Sequence, residues 1–259
     1  MKIWTLMENT ACAENFSAEH GLSLYLETGD RRILFDMGQS AAFADNAEKL
    51  GISLEMVDTA ILSHGHYDHG GGMEAFLRCN THAKLYLSRF AFEPHYNKKG
   101  KYIGLDPALG ENPRLVFTQN CQLGDGLSLH SCNELPRLRA TDPCGLSVEE
   151  NGSLFAEDFR HEQYLLVREQ DRRILISGCS HKGIVNLVHW FRPDVLIGGF
   201  HLKDVPADSP EVEKIAHTLL EYPTVYYTGH CTGESQYRKL KSIMGDRLHA
   251  FSAGMVLKV

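Results

Sequence analysis

The sequence predicts an α/β fold in which helices cover two packed β-sheets. Three observations carry this expectation. The first part of the chain alternates short strand-like runs, and the last part is a regular strand–helix alternation. No repeat of fixed period, low-complexity tract or linker interrupts the 259 residues, so 1–259 reads as one domain.

Each element follows from local pattern. Lys2 to Met7, Leu22 to Thr28 and Arg32 to Asp36 read as strands, the last two joined by a turn at Gly29-Asp30. Ser40 to Leu50 reads as a helix stopped by Gly51. Val57 to Ser63 is an apolar strand, Gly71 to Arg78 a short helix, and Lys84 to Ser88 a further strand. The stretch 88–112 changes character, with Phe90, Phe92, His95, Tyr96, Lys98, Lys99, Lys101 and Tyr102 among its residues. It reads either as a partly helical insertion near the site or as a solvated surface excursion. Pro136 to Phe159 reads as irregular. Strands then follow at Gln163–Arg168, Arg173–Ser177, Asp194–Gly198, Thr224–Thr228 and Met255–Val259. Helices follow at Lys182–Phe191, Ser209–Glu221 (with Pro210 in its first turn) and Glu234–Met244.

Composition narrows the function classes. The net charge of −7 and the lack of a basic stripe argue against nucleic-acid binding, which needs Lys and Arg to displace counterions. A small-molecule partner remains, and the oligomeric state is open. No apolar run has membrane-span length, and the N-terminus turns polar too early for a signal-peptide core. A cytoplasmic protein with no membrane partner is the expectation. Seven cysteines, an odd number without a CxxC pair, argue for reduced thiols rather than a disulfide framework.

The chemistry concentrates in His64-Gly65-His66-Tyr67-Asp68-His69, directly after the apolar strand. His64 and His66 lie two apart and project to one side if extended. Asp68 and His69 follow after a tight bend and point to a neighbouring position. Gly65 and Gly70-Gly71-Gly72 let the backbone fold closely around what these side chains hold. Imidazoles with a carboxylate suit zinc, manganese or iron. Four potential ligands in six residues exceed the needs of one open tetrahedral site, so two adjacent metals are the natural reading.

This run resembles the signature of the metallo-β-lactamase superfamily, His-x-His-x-Asp-His after a strand, and the resemblance spans essentially the whole chain. It implies a four-layer αββα sandwich and a metal-dependent hydrolase with two divalent ions, zinc first and manganese or iron as alternatives. His64 and His66 would serve one metal, Asp68 and His69 the other. Asp36, ending Ile33-Leu34-Phe35-Asp36, matches the family's earlier aspartate, which orients the ligand loop. Further segments, Glu19-His20-Gly21-Leu22-Ser23, Ser177-Gly178-Cys179-Ser180-His181, Gly198-Gly199-Phe200-His201-Leu202 and Gly229-His230-Cys231-Thr232-Gly233, resemble one subgroup. Its members carry the label 7,8-dihydropterin-6-yl-methyl-4-(ribofuranosyl)aminobenzene 5′-phosphate synthase.

The chain departs from the family pattern in two places. The usual third histidine has no clear counterpart; His130 lies near the expected place without matching context. Where the family carries a bridging aspartate, Arg173 to Gly178 leads to Cys179. Either the Cys179 thiolate or His181 supplies that ligand; His181 is the better candidate, with Cys179 as a buried supporting residue. His230, after a strand and a glycine, matches the family's last histidine. His201 and His20 are candidates to stabilise developing charge or protonate a leaving group, beside Asp68 as ligand and orienting group. The reading is hydrolysis of a small phosphorylated or ester substrate. The alternatives are a pterin-type synthase and a non-haem iron redox enzyme on the same fold.

Overall fold

Two sheets of the same mixed design organise the chain, which the computed structural model describes over residues 1–259. One compact unit comprises Met1–Gln119, Gly145–Gln163 and Ser252–Val259; the other comprises Asn120–Cys144 and Tyr164–Phe251.

The first unit's seven-stranded sheet runs in the order Val256–Lys258, Lys2–Met7, Ser23–Thr28, Arg31–Phe35, Thr59–Ile61, Lys84–Ser88, Leu115–Thr118. Its first strands pair antiparallel. From Arg31–Phe35 onward the pairing is parallel. Register places Trp4, Tyr25, Leu34, Ala60 and Leu85 in one row across the sheet. That row is buried in one cluster with Phe43 and Ala47 of the helix Ala42–Lys49 and Met73 and Phe76 of the helix Met73–Cys79. The intervening residues Ile33, Phe35 and Ile61 are also buried, so both faces of the sheet are covered, as parallel pairing usually requires.

The second unit repeats the plan. Leu248–Ala250, Val225–Thr228, Val195–Ile197 and Arg172–Ile176 pair parallel, and Tyr164–Glu169, Leu127–His130 and Asn120–Gly124 continue antiparallel. Leu248, Tyr226, Leu196, Leu175 and Leu166 form the corresponding row. It packs against Ile184–Phe191, Pro210–Leu220 and Glu234–Met244, through Leu187, Leu219 and Leu240 among others. Each such leucine stabilises the unit by roughly 1.5–3 kcal/mol. The ends of these helices are set by chain chemistry: Pro210 at the first turn with Glu211 and Glu213, and Gly245 after Met244.

Two expectations need correction. Pro136–Phe159 is not irregular throughout, because Ser147–Glu150 and Ser153–Ala156 form a hairpin. Asn151 and Gly152 turn it, with φ 50° and 77°, the positive pair that a two-residue hairpin needs. The stretch 88–112 is less helical than expected. It holds the short strand His95–Tyr96, which pairs with the hairpin's Ser147 and Val148, and a 3-10 turn Pro107–Glu111 capped by Asp106. No helix is long and apolar enough to cross a membrane.

Candidate metal centre

Parallel strands deliver their functional groups at their carboxyl ends, where loops open beyond the sheet. In the first unit, Asp36 follows Arg31–Phe35, and His64 follows Thr59–Ile61 by a few residues. His66 is still extended (φ −96°, ψ 147°) and caps a short helical turn, Tyr67–Gly70, which carries Asp68 and His69. The expected bend after His66 is this turn. All of the motif's imidazoles and its carboxylate are buried. Backbone bonds hold the turn: the amide of Leu22 donates to Asp68 O at 3.2 Å and that of Met37 to His69 O at 2.7 Å. The glycines permit the approach. A Cβ on Gly65 would stand 2.1 Å from Ala91 O, and one on Gly72 2.1 Å from Met37 O.

Asp36 sets the chemistry of the motif. Its Oδ1 accepts the Ser63 amide at 2.7 Å, and its Oδ2 accepts both the Ser63 hydroxyl at 2.7 Å and His69 Nδ1–H at 2.6 Å. An ionised carboxylate only accepts, so the single Ser63 hydroxyl proton points to Asp36. Ser63 Oγ therefore accepts from His64 Nδ1–H at 2.8 Å. One buried carboxylate thus leaves neutral His64 and neutral His69 each with its lone pair on Nε2. Ser23 Oγ in turn donates to Asp36 O at 2.8 Å, anchoring the residue at φ 59°.

This donor set fits a divalent cation. Asp68 Oδ2 lies 3.9 Å from His69 Nε2, too far for a hydrogen bond but within the span of two ligands on one ion at about 2 Å each. His20 stands 3.2 Å from Asp68 Oδ2 and is half-exposed, on the solvent side of that carboxylate.

Three residues that the sequence reading did not single out for the site join this cluster. The His161 ring lies 5.7 Å from that of His64 and 5.0 Å from that of His66, and its Nδ1 accepts the Gly65 amide at 2.9 Å. His95 stacks on His161 at 4.0 Å between centroids, and its Nδ1 meets Glu157 Oε2 at 2.8 Å. His66, His95, Glu157 and His161 are all buried, with potential ligand atoms within 4.8 Å of one another. The sequence carried only a weak signal for them: His161 stands two residues before the strand-like run Gln163–Arg168, and Glu157 four residues before His161.

In the second unit, His181, His201 and His230 follow the strands Arg172–Ile176, Val195–Ile197 and Val225–Thr228. Here backbone conformation does the placing. Ser180, His201 and His230 have φ of 58°, 49° and 49°. A threonine pair laces the loops: Thr228 Oγ1 donates to Gly198 O at 2.9 Å, and Thr232 Oγ1 accepts the Phe200 amide at 2.9 Å. Cys179 is buried, and its carbonyl accepts from Cys231 Sγ at 3.5 Å. The His181 and His201 rings are 4.2 Å apart and line a cavity of about 120 Å³ with Arg139, Ile184, Phe200 and Leu202. His130 lies elsewhere in the unit. It bonds Ser128 Oγ at 2.8 Å and meets the Phe191 ring edge-on, and burial, with Arg168 adding to it, pushes its pKa down.

A model of the metallo-beta-lactamase superfamily matches residues 17–157, more than half the chain and the whole of the histidine motif. The chain belongs to this superfamily. The structure of a metal-dependent hydrolase of the beta-lactamase superfamily is 30% identical, with TM-score 0.84, covering 100% of this chain and 99% of that one. The 7,8-dihydropterin-6-methyl-4-(beta-D-ribofuranosyl)-aminobenzene-5′-phosphate synthase of Methanocaldococcus jannaschii is 28% identical, covering 100% of this chain and 96% of the relative. An uncharacterized protein of the same organism is also 28% identical, over 98% of this chain and 97% of that one. Zn(2+)-bound PqqB from Methylobacterium extorquens shares the fold, with TM-score 0.60 at 10% identity over 100% of each chain. The superfamily's fold and a histidine-rich potential metal site are therefore established for this chain.

Proposed function

We propose that this superfamily member is a metal-dependent hydrolase acting on a small phosphorylated or ester substrate, with two divalent ions, zinc first. The observation that carries this reading is the Asp36 network, which leaves His64 and His69 each presenting Nε2, that of His69 3.9 Å from Asp68 Oδ2. A buried carboxylate shared by two ligand imidazoles is the arrangement that orients histidines toward a metal and raises their basicity. The proposed ligands are His64 and His66 for one ion and Asp68 and His69 for the other, with His181 and His230 completing the set and Cys179 supporting it. Bound cations supply Lewis acidity and, by lowering the pKa of a coordinated water toward 7, a nucleophile at neutral pH.

The chain's own groups do the rest. Asp68 orients the nucleophile. His20, at 3.2 Å from Asp68, is placed to take or return a proton at its imidazole. His201 lines the cavity beside His181, where an N–H can stabilise charge on a leaving group. The cavity's apolar wall of Ile184, Phe200 and Leu202 suits a small molecule with an apolar face; Arg139 and Glu211, which also line it, are paired with each other.

A second reading is favoured by one observation: the full-length relative named as a synthase of a ribofuranosyl-aminobenzene phosphate. In it, the same residues hold a phosphorylated sugar for condensation rather than hydrolysis.

Elemental analysis of the protein, combined with a panel of phosphomonoesters, phosphodiesters, thioesters and lactams, tests the proposal. About two zinc or manganese ions per chain, with turnover abolished by His66→Ala, is the expected result. Product analysis separates hydrolysis from condensation. Iron with oxygen consumption moves the reading to redox chemistry, and a chain that binds no metal on reconstitution ends it.

A further inference from the structure

The first unit contains a second carboxylate–imidazole pair built like the first. Asp36 Oδ2 meets His69 Nδ1 at 2.6 Å; Glu157 Oε2 meets His95 Nδ1 at 2.8 Å. Both carboxylates and both rings are buried. Glu157 Oε1 accepts the Phe159 amide at 3.1 Å, so the glutamate is held at both oxygens as an acceptor. His95 Nδ1 must then donate, and neutral His95 carries its lone pair on Nε2. That nitrogen is buried and has no hydrogen-bond partner in the protein. Protonating it would not help, because the resulting N–H would face the same surroundings. A buried polar atom of this kind calls for a ligand.

Its surroundings say which. The His66 ring stands 5.4 Å from that of His95, edge to face at 82°. One potential ligand atom of His66 lies within 4.8 Å of one of His95. Backbone bonds tie the two histidines: the Ile103 amide donates to His95 O at 2.8 Å, and the Tyr67 amide donates to Ile103 O at 2.9 Å. The Asn151-Gly152 hairpin completes the frame, because Val148 pairs with His95 and the chain leaving the hairpin carries Glu157. His161 plays a different part. With Nδ1 accepting the Gly65 amide, its ring proton sits on Nε2, on the side of Glu157 Oε1 at 3.6 Å.

We propose that His95 is a ligand of the cation that His66 binds, with Glu157 as the positioning residue that fixes its tautomer. The segment 88–112 then supplies a metal ligand that the histidine motif does not contain. This inference rests on the reading that the motif binds divalent cations.

The experiment titrates Zn2+ and Co2+ into the full, metal-stripped chain against a chelator, and follows histidine 15N resonances on adding Zn2+. In the wild-type protein the His95 Nε2 resonance moves on metal addition. His95→Ala loses one bound ion or binds it at least 10-fold more weakly, and the Co2+ absorption of that ion changes. Glu157→Gln keeps the shape but offers an N–H to His95 Nδ1, moving the ring proton to Nε2. It weakens the same ion about 10–100-fold. Should His95→Ala fail to fold, the wild-type resonance decides alone. An unmoved His95 Nε2, or wild-type affinity in the variants, overturns the inference while metal binding by the motif stands: a buried water then occupies the position. A wild-type chain that binds neither ion overturns the underlying reading as well.

Discussion

The two units hold their histidines by different means. In the first, carboxylates do it: Asp36 fixes His69 directly and His64 through Ser63, and Glu157 fixes His95. In the second, backbone conformation contributes: His201 and His230 occupy left-handed conformations at φ 49°, and Thr232 and Thr228 bond a loop amide and a loop carbonyl. Two left-handed residues belong to the first unit's networks: the acceptor Asp36 at φ 59°, and Phe159 at φ 63°, whose amide donates to Glu157. A carboxylate chooses which ring nitrogen keeps its lone pair; a backbone strain chooses only where the ring stands. The first unit's rings are thus fixed in tautomer by carboxylates, and the second unit's loops are shaped by left-handed backbone.

Removing the acceptor is the hardest blow to this comparison. Asp36→Ala leaves the Ser63 amide, the Ser63 hydroxyl and His69 Nδ1–H buried with no acceptor. The expected loss is about 3–5 kcal/mol in denaturant unfolding of the metal-free chain. A loss below about 1 kcal/mol would mean that the network is not the frame of the first unit.

Next in size is a reversal. At His230, with φ 49°, glycine is expected to be more stable than alanine by about 1 kcal/mol, because a Cβ is strained there. At His66, with φ −96° and ψ 147°, alanine is expected to be the more stable, by about 0.4–1 kcal/mol. The four variants, unfolded without metal, check the order at each site. The same order at both positions would erase the distinction between backbone and side-chain placement.

The parts of the site that were legible in the sequence are the parts that are local. His64 to His69 lie in one run after an apolar strand, and period and spacing alone bring them together. Asp36 was reachable through the family pattern. His95, Glu157 and His161 were not, because they meet only through a hairpin in a stretch that reads as irregular. Asn151-Gly152 is a strong short hairpin signal, but of the residues on either side, Ser147 to Glu150 and Ser153 to Ala156, only Val148 is apolar and buried, so the apolar alternation that marks a strand is missing. The strand–helix alternation of the second unit was legible for the opposite reason: Val195–Ile197 is an apolar run and each helix has its own stop signal, whereas the short edge strand Leu248–Ala250, with His249 at its centre, was not.

The smallest effect concerns a histidine with neither device. His130 ends the strand Leu127–His130, bonds a serine and faces Arg168 rather than a carboxylate, so burial and that charge lower its pKa. A lowered folded pKa means that the unfolded chain binds the proton more readily. Stability is therefore fully present above the ordinary histidine value of about 6.5 and is lost as pH falls through the lowered folded value. His130→Gln removes that dependence. Urea unfolding at pH 8 and pH 5 is expected to show a smaller acid loss in the variant than in the wild type, by under about 1 kcal/mol. An unchanged acid loss would show that burial does not disfavour the charged ring there. The contrast would then narrow, since an imidazole of the second unit would tolerate its proton without a carboxylate to hold it.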